Sequence, residues 1–193
     1  MYFKFSSEFY FLNIYFSLIT GPYYRFRTFQ DLYETPYAKY AYCTADMLIR
    51  LSRVPIYVIL FLFSGYLFPL ESVKNEDFYE TSSFIFRVFY MTPVFFNFRM
   101  RLYTGFILSE CSCIMAGLGA YPVKSDPKPG QGPSKLEALE DVTEVDEMNF
   151  ETVHNIDEFA AESVTTMREA LKSWNMTVQW WLVANVYRRL PGM

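Results

Sequence analysis

Residues that bind metals or form disulfide frameworks are scarce in this sequence. Its 193 residues include one histidine and three cysteines, and no group of them has the spacing of a metal site. Cys111 and Cys113 are two positions apart and point to different sides of a helix, so a disulfide framework is not expected. The net charge is only −4, which is not typical of a nucleic-acid-binding protein. We therefore expect neither a bound metal nor a nucleic-acid partner.

Charged residues are rare in several long stretches of the chain. Segment 54–70 (VPIYVILFLFSGYLFPL) has seventeen residues without a charge, close to the roughly twenty that an α-helix needs to cross a bilayer. Further apolar stretches lie at 9–20, 84–98, 102–121 and 174–187. Backbone groups in lipid must be satisfied within helices, so these stretches predict an all-α, polytopic transmembrane protein. The alternative for 54–70 is a buried helix of a soluble α-helical protein.

Aromatic residues are abundant, and four arginines lie among them. Phe, Tyr and Trp make up 20% of the chain, which excludes a disordered protein. Arg25 and Arg27 alternate with aromatic residues in GPYYRFRTFQ, and Arg99 and Arg101 do so in FNFRMRLY. This pattern is typical of the membrane interface, where guanidinium groups reach lipid phosphates. The four arginines are therefore candidates for contacts with phosphate groups.

The composition divides the chain into three regions. Residues 1–121 are expected to hold the membrane helices and the interfacial segments rich in aromatic residues and arginine. Residues 122–157 are acidic and are expected to form a partly disordered loop outside the membrane. Within that loop, 125–134 is a hydrophilic linker whose prolines and glycines disfavour regular structure. Residues 158–190 are expected to form a helix, capped by Asp157, that is first amphipathic and then embedded in the membrane.

The stretch 102–121 shows two features of helices that pack within a membrane. Small residues recur at every fourth position, on one stripe that would let another helix approach closely. They are Gly105, Ser109, Cys113 and Gly117. Glu110 lies beside this stripe at membrane depth, where an acidic residue is a candidate functional group. Its expected partner is Arg99 or Arg101, and a structural ion pair or a position near the interface explains it equally well.

The last apolar stretch contains a pair of amide side chains. In KSWNMTVQWWLVANVY, Asn175 and Gln179 are four positions apart, so on a continuous helix they share a face. Burying such a group without a partner costs about 1–3 kcal/mol, so both need one. The sequence predicts either hydrogen bonds to another helix or a polar tunnel that accommodates the carbonyl groups of a substrate.

A series of segments along the chain carries a family resemblance. They are LITGPYYRFRTFQDL, LFPLES, FYMTPVFFNFRMRLY, ECSCIMAGLGAYP, HNID and WNMTVQWWL, which run from about residue 18 to residue 187. In this order they resemble the membrane-bound O-acyltransferase family, and within it the lysophosphatidylinositol acyltransferase branch. The resemblance implies a multi-pass helical enzyme of the endoplasmic reticulum membrane. Such an enzyme remodels phospholipids by moving a fatty acyl group from acyl-CoA, its co-substrate, to a lysophospholipid hydroxyl, and it needs no metal.

The resemblance also implies roles for particular residues. Asn175 corresponds to the catalytic asparagine of the family, and Gln179 and Trp180 are implied to lie near the substrate in the reaction tunnel. The four interfacial arginines would then contact phosphates of CoA or of the inositol phospholipid.

The resemblance further implies that the enzyme is incomplete here. The catalytic histidine of the family lies in a Trp-His-Gly setting on a later membrane helix, and earlier membrane helices are also expected before this segment. Lys4 could begin a secretory signal peptide, but Glu8 interrupts it and no cleavage site of small residues follows the aromatic run, so none is expected. His154 is poorly placed, in an acidic region, for a general base at a substrate hydroxyl. Two functions remain open: an acyltransferase with an incomplete catalytic domain, and a catalytically inactive, truncated membrane protein with a structural or lipid-binding role.

Overall fold

The structure of the chain is a computed structural model that describes residues 21–35 and 37–190. Most of this part is helical, which confirms the predicted all-α class. The α-helices are α1 (Phe26–Glu34), α2 (Cys43–Leu51), α3 (Val54–Leu67), α4 (Leu70–Lys74), α5 (Glu76–Thr81), α6 (Phe84–Met115), α7 (Glu158–Ser163), α8 (Met167–Ser173) and α9 (Met176–Asn185). Short 3₁₀ helices lie at Tyr37–Tyr40, Val123–Ser125, Leu136–Leu139, Glu151–Val153 and Tyr187–Arg189. Antiparallel pairs join β1 (Tyr121–Pro122) to β4 (Met148–Asn149) and β2 (Pro127–Lys128) to β3 (Gly132–Pro133).

One helical segment is suited to a membrane. Helices α2 and α3 together cover Cys43–Leu67, 25 residues that form the one helix in the described part long and apolar enough to span a bilayer. Very little of its apolar stretch is buried within the protein, and large side chains such as Ile59 and Leu62 are exposed. An apolar helix this exposed is not the core of a soluble protein, so the membrane interpretation of 54–70 is favoured. The predicted apolar segment 9–20 lies outside the described residues.

Helix α6 replaces two of the predicted membrane segments. The sequence predicts separate helices at 84–98 and 102–121, whereas the structure has one helix of 32 residues over most of both. It begins at Ser83, whose hydroxyl accepts a hydrogen bond from the amide of Phe86 at 3.3 Å, as an N-cap residue does. Pro93 lies inside the helix without ending it. The two arginines that separate the apolar stretches in the sequence are therefore part of the helix and do not interrupt it.

The end of α6 corrects the predicted stripe of small residues. Gly117 lies beyond the helix with a φ of +74°. Its amide donates to the carbonyl of Ile114, and the amide of Leu118 donates to the carbonyl of Cys113, both at 2.9 Å. This pair of bonds is the Schellman motif that terminates a helix. A Cβ on Gly105 would meet no atom of the described part within 4 Å, so no described helix packs closely against the stripe there.

Two clusters of buried apolar side chains form the core. The first joins α1 to the end of α6 and to the segment before α7, and it includes Phe29 and Ile114. The second joins α2 and α3 to the C-terminal half of α6, and it includes Tyr103 and Ile156. Because α6 contributes to both clusters, it is the common support for the segments that surround the candidate site.

The predicted linker at 125–134 is a hairpin instead of a segment without regular structure. Strands β2 and β3 pair across it. Ser125 is fully buried, and its hydroxyl donates to the carbonyl of Pro122 at 2.7 Å. The turn is also held from outside, since the amide of Gly130 donates to the carbonyl of Thr152 at 2.8 Å. Proline and glycine thus shape a tight turn here, because later residues of the chain pack against it.

The single helix predicted over 158–190 is divided into three. Helix α7 begins at Asp157, whose carboxylate accepts a hydrogen bond from the first turn at 3.0 Å, as predicted. The chain is then extended at Val164, and Thr166 caps α8. A second break, at Asn175, separates α8 from α9. Neither break contains proline or glycine, so the helical spacing of the apolar residues did not reveal them.

Candidate functional site

Asn175 lies at the junction between α8 and α9. Its backbone is left-handed, with φ 48° and ψ 50°, a conformation that asparagine tolerates better than most residues other than glycine. Its carbonyl accepts hydrogen bonds from the amides of Val178 and Gln179, both at 3.1 Å. Asn175 is therefore the N-cap of α9 and not a residue within a continuous helix.

The side-chain oxygen of Asn175 is the notable feature of this junction. Oδ1 is buried and has no hydrogen-bond partner in the described part of the chain. An N-cap asparagine usually accepts a bond from the first turn of its helix, but Asn175 makes no such bond. Leaving a buried polar atom unpaired costs about 1–3 kcal/mol. The oxygen is therefore an acceptor that is available to a donor group from outside the described segment.

Gln179 is not on one continuous helix with Asn175, so that prediction is wrong. Its Nε2 donates to the backbone carbonyls of Leu171 and Trp174, at the C-terminal end of α8. Asn175 precedes the first turn of α9, whereas Gln179 lies inside the helix. Gln179 satisfies carbonyls that the end of a helix leaves open, and it thereby joins α9 to α8. Its role near a substrate stays a prediction.

Trp180 connects α9 to two earlier parts of the chain. The guanidinium carbon of Arg25 lies 4.4 Å from the centre of the indole ring, and the ring of Tyr23 stacks on it with centroids 5.9 Å apart. At the ring edge, Nε1 donates to Oε1 of Gln131 at 3.1 Å. Trp180 therefore holds the N-terminal described segment and the β2–β3 turn against α9. Its contact with a substrate stays a prediction.

The HNID segment, residues 154–157, packs against the start of α9. The backbone carbonyl of Asn155 accepts a hydrogen bond from the amide of Met176 at 2.7 Å. Oδ1 of Asn155 accepts a second one from the hydroxyl of Thr177 at 2.5 Å. Asn155 and Thr177 are both fully buried. The two residues that follow the candidate catalytic asparagine are thus fixed by one buried residue of the preceding segment.

Glu110 is fully buried on α6, and its ion-pair partner is not the predicted one. Arg50 of α2 donates from Nη1 to Oε2 of Glu110 at 2.8 Å, across 60 positions of sequence. Arg99 pairs instead with Glu162 at 2.7 Å, and Arg101 is exposed. The prediction of Arg99 or Arg101 as the partner is wrong because it rests on nearness along the sequence, whereas the neighbouring helix supplies the charge.

The second oxygen of Glu110 binds the HNID segment. Oε1 accepts hydrogen bonds from the backbone amides of Asn155 and Ile156 at 2.7 and 3.1 Å. A buried carboxylate is tolerated only when its charge is paired and its oxygens are hydrogen-bonded. Glu110 meets both conditions, and in doing so it ties α2, α6 and the HNID segment together.

His154 has both ring nitrogens next to acceptors. Nδ1 lies 2.9 Å from Oε2 of Glu151, and Nε2 lies 2.9 Å from the carbonyl of Ile156. Burial and the charge of Arg50 lower the pKa of His154, but the hydrogen bond to Glu151 and the charges of Glu151 and Glu110 outweigh them, so its pKa is raised overall. The imidazolium can donate to both acceptors. Neither nitrogen is then open to take a proton from a substrate.

A cleft of about 350 Å³ lies beside this charged cluster. Its wall includes Arg50, Arg53, Glu147, Glu151 and His154. Arg50 is paired with Glu110, and Arg53 is paired with Glu158 at 3.1 Å. Positive and negative side chains nearly balance, so the cleft lacks the excess of positive charge that a phosphate group requires.

The four arginines predicted to contact phosphates have different surroundings. Arg27 lies 3.8 Å from the carboxylate of Asp31, and Arg99 is engaged in the ion pair described above. Arg25 lies against α9. Arg101 forms no ion pair with any residue that the structure describes. Arg25 is therefore the arginine of this set that contacts the helix of the candidate catalytic asparagine.

Three residues that build this site could not be identified from the sequence. Asn155 lies within the HNID string, which was part of the family resemblance but received no role. Thr177 and Arg50 carry no signal of their own, because threonine in a helix and arginine beside an apolar stretch are both common. Only their contacts with Asn155 and Glu110 show that they belong to the site.

Comparison with known proteins assigns the chain to a family. The sequence model of MBOAT, the membrane-bound O-acyltransferase family, matches residues 3–193. The chain is 42% identical over 179 residues to a membrane-bound acylglycerophosphatidylinositol O-acyltransferase of Drosophila melanogaster, covering 92% of this chain and 37% of the relative. It is 41% identical over 181 residues to that of Bos taurus and 40% identical over 188 residues to that of Homo sapiens, covering 92% of this chain and 38% of each relative. The chain thus spans less than two fifths of the length of these relatives, and the matches show that it belongs to the membrane-bound O-acyltransferase family.

Proposed function

We propose that this chain contributes Asn175 and its surroundings to the reaction site of an acyl-CoA-dependent lysophospholipid O-acyltransferase. The acceptor is proposed to be lysophosphatidylinositol, since the similar proteins of fly, cow and human are named as acylglycerophosphatidylinositol O-acyltransferases. The observation that carries the proposal is the buried, unpaired Oδ1 of Asn175. The large majority of buried side-chain polar atoms have a hydrogen-bond partner, so an unpaired one is a candidate for contact with a substrate or a catalytic group.

The proposed reaction moves one acyl group from the sulfur of CoA to the hydroxyl oxygen of the lysophospholipid. A base removes the proton of the lysophospholipid hydroxyl, and the oxygen attacks the thioester carbonyl of acyl-CoA. The carbon–sulfur bond then breaks, and CoA leaves as the thiol once it has taken up a proton. The family resemblance assigns the base to a histidine on a later helix, and His154 is not the proposed base because each of its ring nitrogens lies 2.9 Å from an acceptor.

Asn175 has two ways to assist this reaction. Its unpaired Oδ1 can accept a hydrogen bond from the attacking hydroxyl or from the base, and thereby orient either group. Its amide nitrogen can donate to the oxygen that becomes negative in the tetrahedral intermediate. The unpaired atom is the acceptor oxygen, so orientation of a donor group is the role that the geometry favours.

The surface of the chain suits an enzyme whose substrates are lipids. Helix α3 and the first half of α6 expose apolar and aromatic side chains, which include Ile59, Leu62, Phe63, Phe84, Phe89 and Phe95. In a bilayer these side chains face acyl chains. We propose a multi-pass location in the endoplasmic reticulum membrane, with the acyl chains of both substrates held among the aromatic helices.

The test is an acylation assay of the full-length gene product, expressed in membranes that lack their own lysophosphatidylinositol acyltransferase. Asn175→Ala should lower the transfer of arachidonate from arachidonoyl-CoA by about 10²–10³-fold, the loss typical of one catalytic amide. Asn185→Ala is the matched control, because Asn185 lies at the far end of α9 and donates only to the carbonyl of Trp181. Its activity should equal that of the wild type.

Two results would contradict the proposal. Normal turnover by a folded Asn175→Ala protein would remove Asn175 from the reaction. A full-length wild type without acylation of any lysophospholipid would favour the structural or lipid-binding role instead. Parallel assays with lysophosphatidylcholine and lysophosphatidylserine decide the proposed preference for the inositol headgroup.

A further inference from the structure

A continuous series of hydrogen bonds links α6, the HNID segment and the start of α9, next to Asn175. The series starts at Glu110, the fully buried carboxylate on α6, whose Oε1 accepts hydrogen bonds from the amides of Asn155 and Ile156. It continues through Asn155, which binds the amide of Met176 and the hydroxyl of Thr177. It ends at the two residues that directly follow the proposed catalytic asparagine.

The other side of Asn175 is held by the same segment. The amide of Asp157 donates to the carbonyl of Ser173 at 3.0 Å. Residues 155–157 therefore bind the chain both before and after the junction, and Glu110 binds two amides of the segment 155–157. The left-handed backbone of Asn175 lies between these attachments.

The left-handed backbone conformation of Asn175 depends on these hydrogen bonds. This conformation is accessible to asparagine but is not its preferred one, so the surrounding structure must determine it. With the bonds at Met176 and Thr177 removed, the junction can relax toward other backbone conformations. The unpaired amide oxygen of Asn175 would then move away from its present position.

We infer that Glu110 is a positioning residue for Asn175, acting through Asn155 and Thr177. This inference rests on the role of Asn175 proposed above. Glu110 touches no substrate in this scheme. It acts as an acceptor for two backbone amides. Its ion pair with Arg50 offsets the cost of burying the carboxylate but does not position Asn175. A residue of this kind affects the chemical step more than substrate binding, so its loss should lower kcat and leave KM nearly unchanged.

Two substitutions at Glu110 separate positioning from charge pairing. Glu110→Gln keeps a carbonyl oxygen that can accept from the amides of Asn155 and Ile156, but it loses the charge. Glu110→Leu keeps the approximate volume and loses both the acceptor and the charge. We expect Glu110→Gln to retain most of the wild-type kcat in the lysophosphatidylinositol assay, and Glu110→Leu to lose between about ten- and a hundredfold. Equal losses in both variants would show that the charge matters and would overturn the inference.

If Glu110→Leu does not fold, a second pair of variants tests the other end of this series of hydrogen bonds, at Thr177. Thr177→Ser keeps the hydroxyl that binds Asn155, whereas Thr177→Val replaces it with a methyl group of similar size. Thr177→Ser should keep the wild-type kcat, and Thr177→Val should lower kcat with KM within twofold. A change in KM alone, or no difference between the two variants, would contradict the inference.

Hydrogen exchange gives a measurement that needs no activity. The amide of Met176 is protected by the carbonyl of Asn155, so Glu110→Leu and Thr177→Val should speed its exchange while α3 and α6 remain as protected as in the wild type. If the wild type shows no acyltransferase activity but the amide of Met176 still exchanges faster in the variants, the linkage is supported and the proposed function fails. Unchanged exchange at Met176 in an active enzyme would remove the linkage and leave the function standing.

Discussion

The guanidinium of Arg25 lies over the indole ring of Trp180, 4.4 Å from its centre. The two residues are far apart in the sequence, and their contact fixes the N-terminal described segment against α9. Tyr23 reinforces it, because its amide donates to the hydroxyl of Thr177 at 2.9 Å. The start of α9 is thus held from two directions, by this segment and by the HNID segment.

The contact between Arg25 and Trp180 should stabilise the protein measurably. A double-mutant cycle with Arg25→Gln and Trp180→Leu, measured by unfolding in detergent micelles, should give a coupling of about 0.5–1 kcal/mol. Arg27→Gln is the matched control, because Arg27 pairs with Asp31 and should show no coupling to Trp180. Equal coupling for both arginines would contradict the contact.

Gly130 should not tolerate a side chain. Its φ is +70°, and a Cβ there would lie 3.0 Å from the carbonyl oxygen of Thr177. Gly130→Ala should therefore lower the free energy of unfolding by about 1–3 kcal/mol and should also disturb the start of α9. Gly105 is the matched control, since nothing lies within 4 Å of its added Cβ. Gly105→Ala, inside a helix, should be neutral or stabilising by up to about 1 kcal/mol. An equal loss of unfolding free energy in both variants would contradict the close packing of the hairpin against α9.

The pair of His154 and Glu151 should make stability depend on pH. The pKa of His154 is raised above 6.5, so its contribution is complete below pH 6.5 and is lost as the pH rises through the raised value. The pKa of Glu151 is lowered below 4.5, chiefly by its hydrogen bond to His154, so its contribution is complete above pH 4.5 and is lost as the pH falls further. The pair should stabilise the protein most between about pH 4.5 and 6.5.

The measurement is the unfolding free energy of the wild type and of His154→Gln across the range from pH 4 to pH 9. The unfolding free energy of the wild type should exceed that of the variant by the largest amount at weakly acidic pH, and this difference should shrink as the pH rises. Arg50 and Glu110 also face this pair, so both must remain intact in the comparison. A difference that is constant across the range would show that the charge of His154 does not contribute.

The exposed face of α3 should meet lipid. Ile59 is 64% exposed in the middle of the apolar stretch, and a lysine at the centre of a membrane helix costs about 2.5–3.5 kcal/mol of insertion free energy. Ile59→Lys should therefore reduce the fraction of the chain that remains in the pellet after carbonate extraction of membranes. Tyr42→Lys, at an exposed position just before α2, is the control and should leave that fraction unchanged. Equal extraction of the two variants would contradict the membrane interpretation of this helix.

The apolar character and the helical class of the chain could be predicted because they depend on local composition. The uncharged run at 54–70 is nearly long enough to span a bilayer, and its helix is exposed as a membrane helix would be. The cap at Asp157 was also predictable, since a capping side chain acts within one turn of its own position. The asparagine of WNMTVQWWL was recognised by family resemblance, and no local pattern showed its left-handed backbone.

Local composition and the order of the motifs are enough to show that the chain is rich in apolar helices, where its last helical region begins, and to which family it belongs. The folded chain was needed to show that Glu110 pairs with Arg50, that Asn175 lies at a break between helices, and that the 125–134 hairpin is held against α9. The physical reason is distance along the chain. These features depend on hydrogen bonds and charges supplied by residues up to 154 positions away, and no pattern within one segment carries that information.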